Sequence, residues 1–292
     1  MTYEHSSTEK RLPSWLRRPL ARPGAYAHVD GLLDELDLNT VCQSAKCPNR
    51  GECFSEGTAT FLVLGDACTR GCRFCAVETR RPAAPDPGEP ARVGEAVARM
   101  GLRHAVVTMV TRDDLADGGA AHIVAVIEAI RAAAPGAAIE VLVSDFAGDL
   151  VAVETVAGAR PDVFNHNVET VPRLYEAVRP GADYARSLEV LGRVSARAPD
   201  VPTKSGLMLG LGEREDEVVA VMRDLGEVGC RMLTLGQYLR PSARHLPIAE
   251  FVAPDRFAAL ARTAYAMGFT SVASAPFVRS SYHAAEQAEA RP

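Results

Sequence analysis

Six of the seven cysteines in this chain lie within one short segment, between positions 42 and 75. They fall into two sets of three with unequal spacing, C-x4-C-x5-C and then C-x3-C-x2-C. Thiols gathered so tightly predict a site that they build together, because structural cysteines have no reason to cluster in sequence. The first cysteine set is Cys42, Cys47 and Cys53, and the second cysteine set is Cys68, Cys72 and Cys75.

The size of the chain and the spacing of the cysteines separate the chemistries that clustered thiols serve. Disulfide scaffolds belong to small secreted proteins without a core, whereas 292 residues of 47% hydrophobic composition can bury a full-sized core. Zinc sites usually show paired C-x2-4-C knuckles rather than triplets. Soft thiolates in threes favour iron–sulfur clusters, so we expect two of them. Cys230 stands apart and is expected to be a buried, unreactive thiol.

The second cysteine set follows directly after a predicted strand and supplies three thiolates from one tight loop. Three thiolates on a four-iron cluster leave one iron without a protein ligand. An open metal position is where a site binds and acts on a small molecule, as catalytic zinc sites do. The spacing therefore predicts a reactive cluster rather than a purely structural one.

Charge and composition argue against several classes of partner. The formal net charge is -5, so we expect neither nucleic acid nor an anionic membrane surface as a partner. Residues 1–24 mix charges of both signs with proline and glycine and contain no apolar signal-peptide core. No stretch approaches the ~20 apolar residues of a membrane span. These features predict a cytoplasmic protein.

After the cysteine segment, short apolar runs alternate with longer amphipathic ones, which is typical of βα units around a parallel sheet. We predict an α/β fold, a complete or partial TIM-like (β/α) barrel with an N-terminal cysteine-rich extension. A doubly wound open sheet remains the alternative, because one sequence does not reveal strand order. Strands are predicted at 60–65, 104–110, 139–144, 162–167, 203–209, 232–238 and 270–273, and helices at 93–100, 120–134, 149–157, 184–197, 213–228 and 254–267.

Three regions are expected along the chain. Residues 1–58 form the N-terminal extension, residues 59–275 the barrel, and residues 276–292 a C-terminal segment that contains Arg-Ser-Ser-Tyr. The extension, which contains the first cysteine set, is expected to be a separate small lobe. The proline-rich stretch 81–90 is expected to be a linker or surface loop.

The second cysteine set, with Phe74 just before its last cysteine, resembles the radical S-adenosylmethionine superfamily. The resemblance implies that the open iron chelates S-adenosylmethionine, whose reductive cleavage gives methionine and a 5′-deoxyadenosyl radical. It also implies cofactor contacts from Phe74, from Asn167 and Glu169 after the fourth predicted strand, and from Gly210 after the fifth. His166 is expected instead to be a core histidine with satisfied hydrogen bonds.

Both cysteine sets together with Arg-Ser-Ser-Tyr at 279–282 resemble the lipoyl synthase family, and the resemblance runs over nearly the whole chain. It implies that the first cysteine set and Ser281 bind an auxiliary [4Fe-4S] cluster. An alkoxide is a hard, mismatched ligand on a soft cluster and could be released when the cluster is dismantled. Without this resemblance, Ser280 and Ser281 would be assigned solvated or capping roles.

The resemblance implies an enzyme with two [4Fe-4S] clusters and S-adenosyl-L-methionine, which inserts two sulfur atoms at C6 and C8 of a protein-bound octanoyl-lysine. The sulfur comes from the auxiliary cluster. Radical chemistry is required because an aliphatic C–H bond has no acidity for a base to exploit. The implied partners are octanoylated lipoyl carrier domains, of 2-oxoacid dehydrogenase E2 or glycine cleavage H protein, and flavodoxin or ferredoxin as the reductant.

Two alternatives remain open at this point. Another sulfur-inserting enzyme with an auxiliary cluster, such as a methylthiotransferase or a biotin-synthase-like protein, lacks the combination of C-x4-C-x5-C with Arg-Ser-Ser-Tyr. A non-catalytic iron–sulfur electron carrier would also hold two clusters, but it would need neither a barrel of this size nor irons left open.

Overall fold

A computed structural model describes residues 12–17 and 23–289 of the chain. The termini of the expected N-terminal extension and C-terminal segment, residues 1–11 and 290–292, and residues 18–22 lie outside these ranges. The strands in the described part are β1 Asn39–Thr40, β2 Thr60–Val63, β3 Ala67–Cys68, β4 Glu78–Thr79, β5 His104–Met109, β6 Ala138–Leu142, β7 Val163–Asn165, β8 Thr203–Leu209, β9 Met232–Gln237 and β10 Ser271–Ser274.

Helices separate most of these strands. None of the helices in the described ranges has both the length and the apolar character to cross a bilayer. Short 3-10 helices occur at Ser14–Leu16, Phe146–Gly148 and Pro172–Leu174. The α-helices are α1 Pro23–Glu35, α2 Val41–Ser44, α3 Arg50–Ser55, α4 Glu89–Arg99, α5 Ala120–Ala133, α6 Leu150–Gly158, α7 Tyr175–Val178, α8 Tyr184–Arg197, α9 Glu215–Glu227, α10 Pro254–Ala266 and α11 Ala284–Glu289.

Eight strands form one sheet in the order β1-β2-β5-β6-β7-β8-β9-β10. Each neighbouring pair from β2 to β10 is parallel, and β1 is antiparallel to β2 at the edge. Successive strands are neighbours throughout the described sheet, so the order never reverses as it does in a doubly wound fold. Because β1 and β10 remain edges, the TIM-like fold is confirmed in its partial, open form.

The helices cover the sheet with the apolar stripes that the sequence predicts. In α5, Ile123, Ile127 and Ile130 recur at helical spacing and are fully buried. Helix α4 begins at Glu89, inside the stretch 81–90 that the sequence predicts to be loop. A proline is tolerated in the first turn of α4 because its missing N–H would have no helical partner there.

A charged group lies buried among the central strands. The ammonium of Lys204 on β8 lies 3.0 Å from a carboxylate oxygen of Glu140 on β6, and neither side chain is accessible. Asn165 donates from Nδ2 to Glu140 at 3.0 Å, and His104 Nε2 lies 3.5 Å from the same carboxylate. Buried charges persist only where they are paired and hydrogen-bonded, so this group links β5, β6, β7 and β8.

The fourth predicted strand, 162–167, is shorter in the structure. Strand β7 ends at Asn165, and Glu169 then adopts a φ of 65°. A positive φ in a non-glycine residue interrupts extended backbone. The chain rejoins the sheet only through a bridge between Glu169 and Leu207. Residues 166–168 therefore lie beyond β7 at the end of the sheet, although the His166 N–H still donates to the carbonyl of Lys204 at 3.0 Å.

The N-terminal extension is not the separate lobe that the sequence predicts. Leu33 of α1 and Phe54 of α3 belong to the same apolar core as Phe61 of β2, and all three are essentially inaccessible. The extension also adds β1 to the edge of the barrel sheet. Its described residues are therefore packed on the barrel as part of one core.

The C-terminal segment returns to this extension. Asn49 donates from its side-chain Nδ2 to the carbonyl of Phe277 at 2.7 Å. The hydroxyl of Tyr282 donates to Glu52 at 3.1 Å. Two parts of the chain that are far apart in sequence are thus hydrogen-bonded beside the first cysteine set.

Strand β9 provides a surface on which this segment lies. A side chain at Gly236 would collide with the carbonyl group of Val278. Only glycine permits so close an approach of two backbones. The position of residue 278 is therefore fixed against the sheet.

A substitution at Gly94 of α4 tests how closely α4 packs on α5. A Cβ at this position would lie 2.7 Å from the backbone carbonyl oxygen of Ala129. We expect Gly94→Ala to lower the free energy of unfolding by about 1–3 kcal/mol, measured by urea denaturation. Gly226→Ala is the matched control, since a Cβ there meets nothing within 4 Å, and it should be neutral or stabilising by up to about 1 kcal/mol. Equal destabilisation by both changes would contradict the close packing.

Candidate active site

A cavity of about 450 Å³ opens at the carboxyl ends of the parallel strands. Residues that follow β5, β6, β7 and β9 form its wall together with members of both cysteine sets. Cys53 is not part of this wall but lies close enough to Cys42 and Cys47 to interact with them electrostatically. The structure thus gathers both sets around one space. The cysteines in the wall are Cys42, Cys47, Cys68, Cys72 and Cys75.

All seven cysteines fall within the described residues and all are free thiols, so the disulfide alternative is excluded. Burial raises the pKa of Cys42 to about 11 and the pKa of Cys75 to about 12. Burial, followed by the neighbouring thiols, raises the pKa of Cys53 to about 12. Such thiols stay protonated at neutral pH until a bound metal displaces the proton.

The donor chemistry of the two sets suits iron–sulfur clusters, because thiolates are soft ligands that these clusters prefer. Among the residues that the structure describes, no three His, Cys, Asp or Glu side chains converge as the ligands of a single metal ion do. In a four-iron cluster, by contrast, each cysteine binds a different iron. Cys230 lies apart, fully buried in the apolar core, as the sequence predicts.

Arg70 ties the loop of the second cysteine set to the strand ends. Its Nε and Nη2 donate to the two carboxylate oxygens of Asp113, each at 2.8 Å. Its Nη2 also lies 2.7 Å from Asp145, whose side chain is inaccessible. Burial alone would raise the pKa of Asp145, but the Arg70 guanidinium holds it below its usual value. Sequence reasoning missed Arg70, because nothing in its spacing indicates its distant partners.

Asn167 and Glu169, two of the predicted cofactor contacts, lie together in the cavity wall, and Phe74 lies in the same wall. Asn167 donates from Nδ2 to Glu169 Oε1 at 3.0 Å. Its Oδ1 is buried and has no hydrogen-bond partner. A buried acceptor in this state needs a donor from a ligand or water in the cavity.

Arg179 is a second cavity residue that sequence reasoning missed. Its Nη1 donates to the carbonyls of Asn167 at 3.0 Å and Val168 at 3.1 Å. Burial raises the pKa of Cys72 and of Glu169, and the Arg179 charge opposes that rise at both. A fixed guanidinium therefore stabilises anionic groups on this side of the cavity.

His166 is not the core histidine with satisfied hydrogen bonds that the sequence predicts. Its Nδ1 lies 2.9 Å from the carbonyl of Val143, so Nδ1 is the protonated nitrogen. Its Nε2 is buried without a partner, and the residue lines the cavity. Burial, with the Arg179 charge, lowers the pKa of His166 to about 4. The ring is therefore neutral at neutral pH and offers Nε2 as an acceptor.

Gly210, the fourth predicted cofactor contact, lies outside the cavity wall. Its φ is 97°, and a side chain there would collide with Gln237 and with the carbonyl of Glu250. Local packing accounts for this glycine. Gly206 of the same stretch does line the cavity, and a Cβ there would lie 3.0 Å from Asn167 Oδ1.

Two adjacent serines of the C-terminal segment contact different partners. Thr60 donates from Oγ1 to Ser281 Oγ at 2.8 Å, and Thr60 is also hydrogen-bonded to Cys42. Asn167 donates from Nδ2 to Ser280 Oγ at 2.6 Å. Both serines line the cavity. Ser281 therefore lies beside the first cysteine set, whereas Ser280 lies beside Asn167 and Glu169.

Comparison with known proteins adds to this geometry. The family model described as the radical SAM superfamily matches residues 62–225, more than half of the chain. A curated protein of Trichlorobacter lovleyi named lipoyl synthase is 56% identical over 280 residues, which cover 96% of this chain and 99% of that protein. A lipoyl synthase of Methylococcus capsulatus is 55% identical, covering 95% of this chain and 87% of that protein.

Solved structures show a similar fold at lower identity. The chain superposes on HydG, a maturase of the [FeFe]-hydrogenase, with a TM-score of 0.59, 19% identity and coverage of 73% of this chain and 50% of that one. For methylornithine synthase the TM-score is 0.55, the identity 12% and the coverage 73% of this chain and 63% of that one. At such identities the likeness concerns the fold alone, and it agrees with the open barrel.

Breaking the contact between Arg70 and Asp145 tests whether this ion pair stabilises the cavity wall. Asp145→Asn keeps the size of the side chain but leaves Arg70 facing a neutral amide. We expect the free energy of unfolding to fall by about 1.5–3 kcal/mol, the usual contribution of a hydrogen bond to a charged group, because Arg70 retains Asp113. Asp200→Asn is the control, because Asp200 pairs with Arg160 at the surface with side chains 48% and 64% exposed, and it should cost about 1 kcal/mol or less. Similar losses in urea titrations of both variants would contradict this account.

Proposed function

The chain belongs to the lipoyl synthase family of radical S-adenosylmethionine enzymes, and we propose that its two cysteine sets and Ser281 hold both clusters of that chemistry around one cavity. It is a sulfur-inserting enzyme whose cofactors are S-adenosylmethionine and two [4Fe-4S] clusters. The chain is 55–56% identical to lipoyl synthases over nearly its whole length. This argues against the alternative functions, which were a methylthiotransferase, a biotin-synthase-like protein and an electron carrier. The observation that carries the site proposal is the shared cavity wall.

For the auxiliary cluster we propose Cys42, Cys47, Cys53 and Ser281 as ligands. The electrostatic contacts among the three thiols support their grouping. The hydrogen bond from Thr60 to Ser281, together with the contact between Thr60 and Cys42, supports the serine as their companion. A serine oxygen is the hardest of the four donors, so it is the ligand most easily released from a soft cluster.

For the other cluster we propose the second cysteine set as ligands, with S-adenosylmethionine bound beside it. The unpartnered acceptors Asn167 Oδ1 and His166 Nε2 suit the ammonium or hydroxyl donors of that cofactor. Gly206 lines the cavity beside Asn167, and Gly210 of the same stretch remains a proposed contact. The further contacts that we propose are Phe74 and Glu169.

When bound, the clusters and S-adenosylmethionine supply the electron, the radical that abstracts hydrogen, and the sulfur. The chain itself positions the reactants and excludes water. Arg70 fixes the loop of the second cysteine set, as its contacts with two carboxylates indicate. Apolar side chains in the wall suit an alkyl chain, and they include Leu62, Met109, Leu142, Leu207 and Met208.

We propose that the substrate is an octanoyl-lysine on a lipoyl carrier domain, either 2-oxoacid dehydrogenase E2 or glycine cleavage H protein. Flavodoxin or ferredoxin is the proposed reductant, since the radical step needs one electron at a time. A cytoplasmic location is proposed because free thiols and reduced clusters require a reducing compartment. Residues 1–58 and 276–292 would serve the auxiliary cluster, and residues 59–275 the radical step.

Substitutions in the two cysteine sets should separate two parts of the reaction. The anaerobically reconstituted parent should bind about eight irons, because each set is assigned one four-iron cluster. Cys72→Ala should abolish 5′-deoxyadenosine formation, since the cluster that delivers the electron loses a ligand. Cys47→Ala should retain part of that formation but give no lipoyl product from an octanoyl-lysine peptide, as judged by mass spectrometry.

Cys230→Ala is the control for this comparison, because Cys230 is a buried cysteine outside both sets. It should keep the iron content and both products of the parent. Saturation of the parent with zinc, or identical behaviour of Cys72→Ala and Cys47→Ala, would overturn the proposed division of labour.

Ser281 is tested by two substitutions with different chemistry. Ser281→Ala should retain 5′-deoxyadenosine formation while disturbing the auxiliary cluster and lowering the lipoyl yield. Ser281→Cys should retain the iron content yet impair sulfur donation, because a thiolate is a softer and less readily released ligand. Iron content, 5′-deoxyadenosine and lipoyl product are measured side by side. An unaltered lipoyl yield in both variants would refute the assignment.

A further inference from the structure

Ser280 has no part in the proposed ligation of either cluster, yet it lines the cavity and is hydrogen-bonded to Asn167. We propose that Ser280 is a positioning residue, whose hydroxyl oxygen holds the Asn167 amide so that Asn167 Oδ1 faces S-adenosylmethionine. This inference rests on the proposed function, because it assumes that the cofactor binds beside Asn167. It adds to that function a side chain from the C-terminal segment that acts on the cofactor site.

The orientation of the Asn167 amide follows from its two partners. The amide turns Nδ2 toward Glu169 Oε1, 3.0 Å away, where the Arg179 charge favours the anionic, accepting form of the carboxyl. The second N–H of the same nitrogen is donated to Ser280 Oγ at 2.6 Å. With both N–H groups in use, Oδ1 is turned away from Glu169 and Ser280.

Asn167 Oδ1 is then left buried, without a partner, on the side of Gly206. The side chain of Asn167 is 93% buried, since its exposed fraction is 7%. A fixed acceptor of this kind recognises a ligand N–H or O–H group, such as the ammonium or a ribose hydroxyl of S-adenosylmethionine. A Cβ at Gly206 would lie 2.4 Å from Thr234 Oγ1 and 3.0 Å from Asn167 Oδ1, so only glycine fits beside this acceptor.

The backbone around Ser280 is held on both sides, which makes its hydroxyl a fixed rather than an adjustable partner. Val278 lies against Gly236 of β9, and Ser281 accepts a hydrogen bond from Thr60 at 2.8 Å. Removing the Ser280 hydroxyl would leave one buried N–H of Asn167 without an acceptor. The amide would then be held by Glu169 alone and would lose part of its orientation toward the ligand.

The test measures the Kd for S-adenosylmethionine by equilibrium dialysis with the anaerobic enzyme after reconstitution of both clusters, and the KM from 5′-deoxyadenosine formation after reduction. Ser280→Ala should raise both constants about three- to tenfold, the effect of one hydrogen bond, with a smaller change in kcat. Ser280→Thr, which retains the oxygen, should restore most of the affinity. Ser14→Ala, which removes an exposed serine hydroxyl outside the cavity wall, is the matched control and should retain the parental Kd and KM.

A double-substitution cycle separates positioning from a general structural effect. In an Asn167→Ala background, Ser280→Ala should cause no further rise in Kd, because Ser280 acts through Asn167. The proposal fails if Ser280→Ala leaves the Kd unchanged, if it raises the Kd equally in both backgrounds, or if it lowers the iron content. Since the readouts are binding and cleavage of S-adenosylmethionine, a parent enzyme that cleaves it without giving lipoyl product would refute the proposed function and leave this test valid.

Discussion

The hydrogen bond from Thr60 to Ser281 joins the first barrel strand to the C-terminal segment, and the arrangement of the cavity depends on this meeting. The two residues are separated by 221 positions in sequence. A single neutral hydrogen bond contributes only about 1 kcal/mol, too little to hold a segment against its own conformational freedom. The contacts of Phe277 with Asn49 and of Tyr282 with Glu52 share that task. Together these contacts hold the region of the first cysteine set against the C-terminal segment at the ends of the strands.

Local sequence signals predicted the strands of the barrel well, because the pattern of each βα unit depends on neighbouring residues. The alternation of apolar runs gave the parallel strands, and the spacing of the thiols within each set gave their grouping. The separate N-terminal lobe was wrong because burial of Leu33 and Phe54 against Phe61 depends on packing across the fold. Strand order, which separates an open barrel from a doubly wound sheet, likewise depends on long-range pairing.

The residues that sequence reasoning missed or misjudged are those whose role depends on distant partners. The carboxylate partners of Arg70 follow β5 and β6 and are distant from it in sequence. Arg179 comes close to Asn167 and Cys72 only in the folded chain. The sequence predicted a core residue at His166 because buried histidines usually have satisfied hydrogen bonds, but only Nδ1 has a backbone partner and Nε2 has none. At Gly210 local packing already requires glycine, so the sequence alone does not distinguish a packing role from contact with a ligand.

The contact of Gly236 with Val278 has a consequence for which changes in chain length the protein tolerates. Because residue 278 is fixed against β9, its position determines where the residues that follow it lie. Ser280 and Ser281 are adjacent yet contact opposite sides of the cavity. One residue gained or lost between Val278 and Ser280 would move each serine by one register position, and the serine that now meets Thr60 would be replaced by its neighbour. A change of chain length at this point would therefore exchange the residues at both contacts, whereas replacing one side chain would leave the register intact.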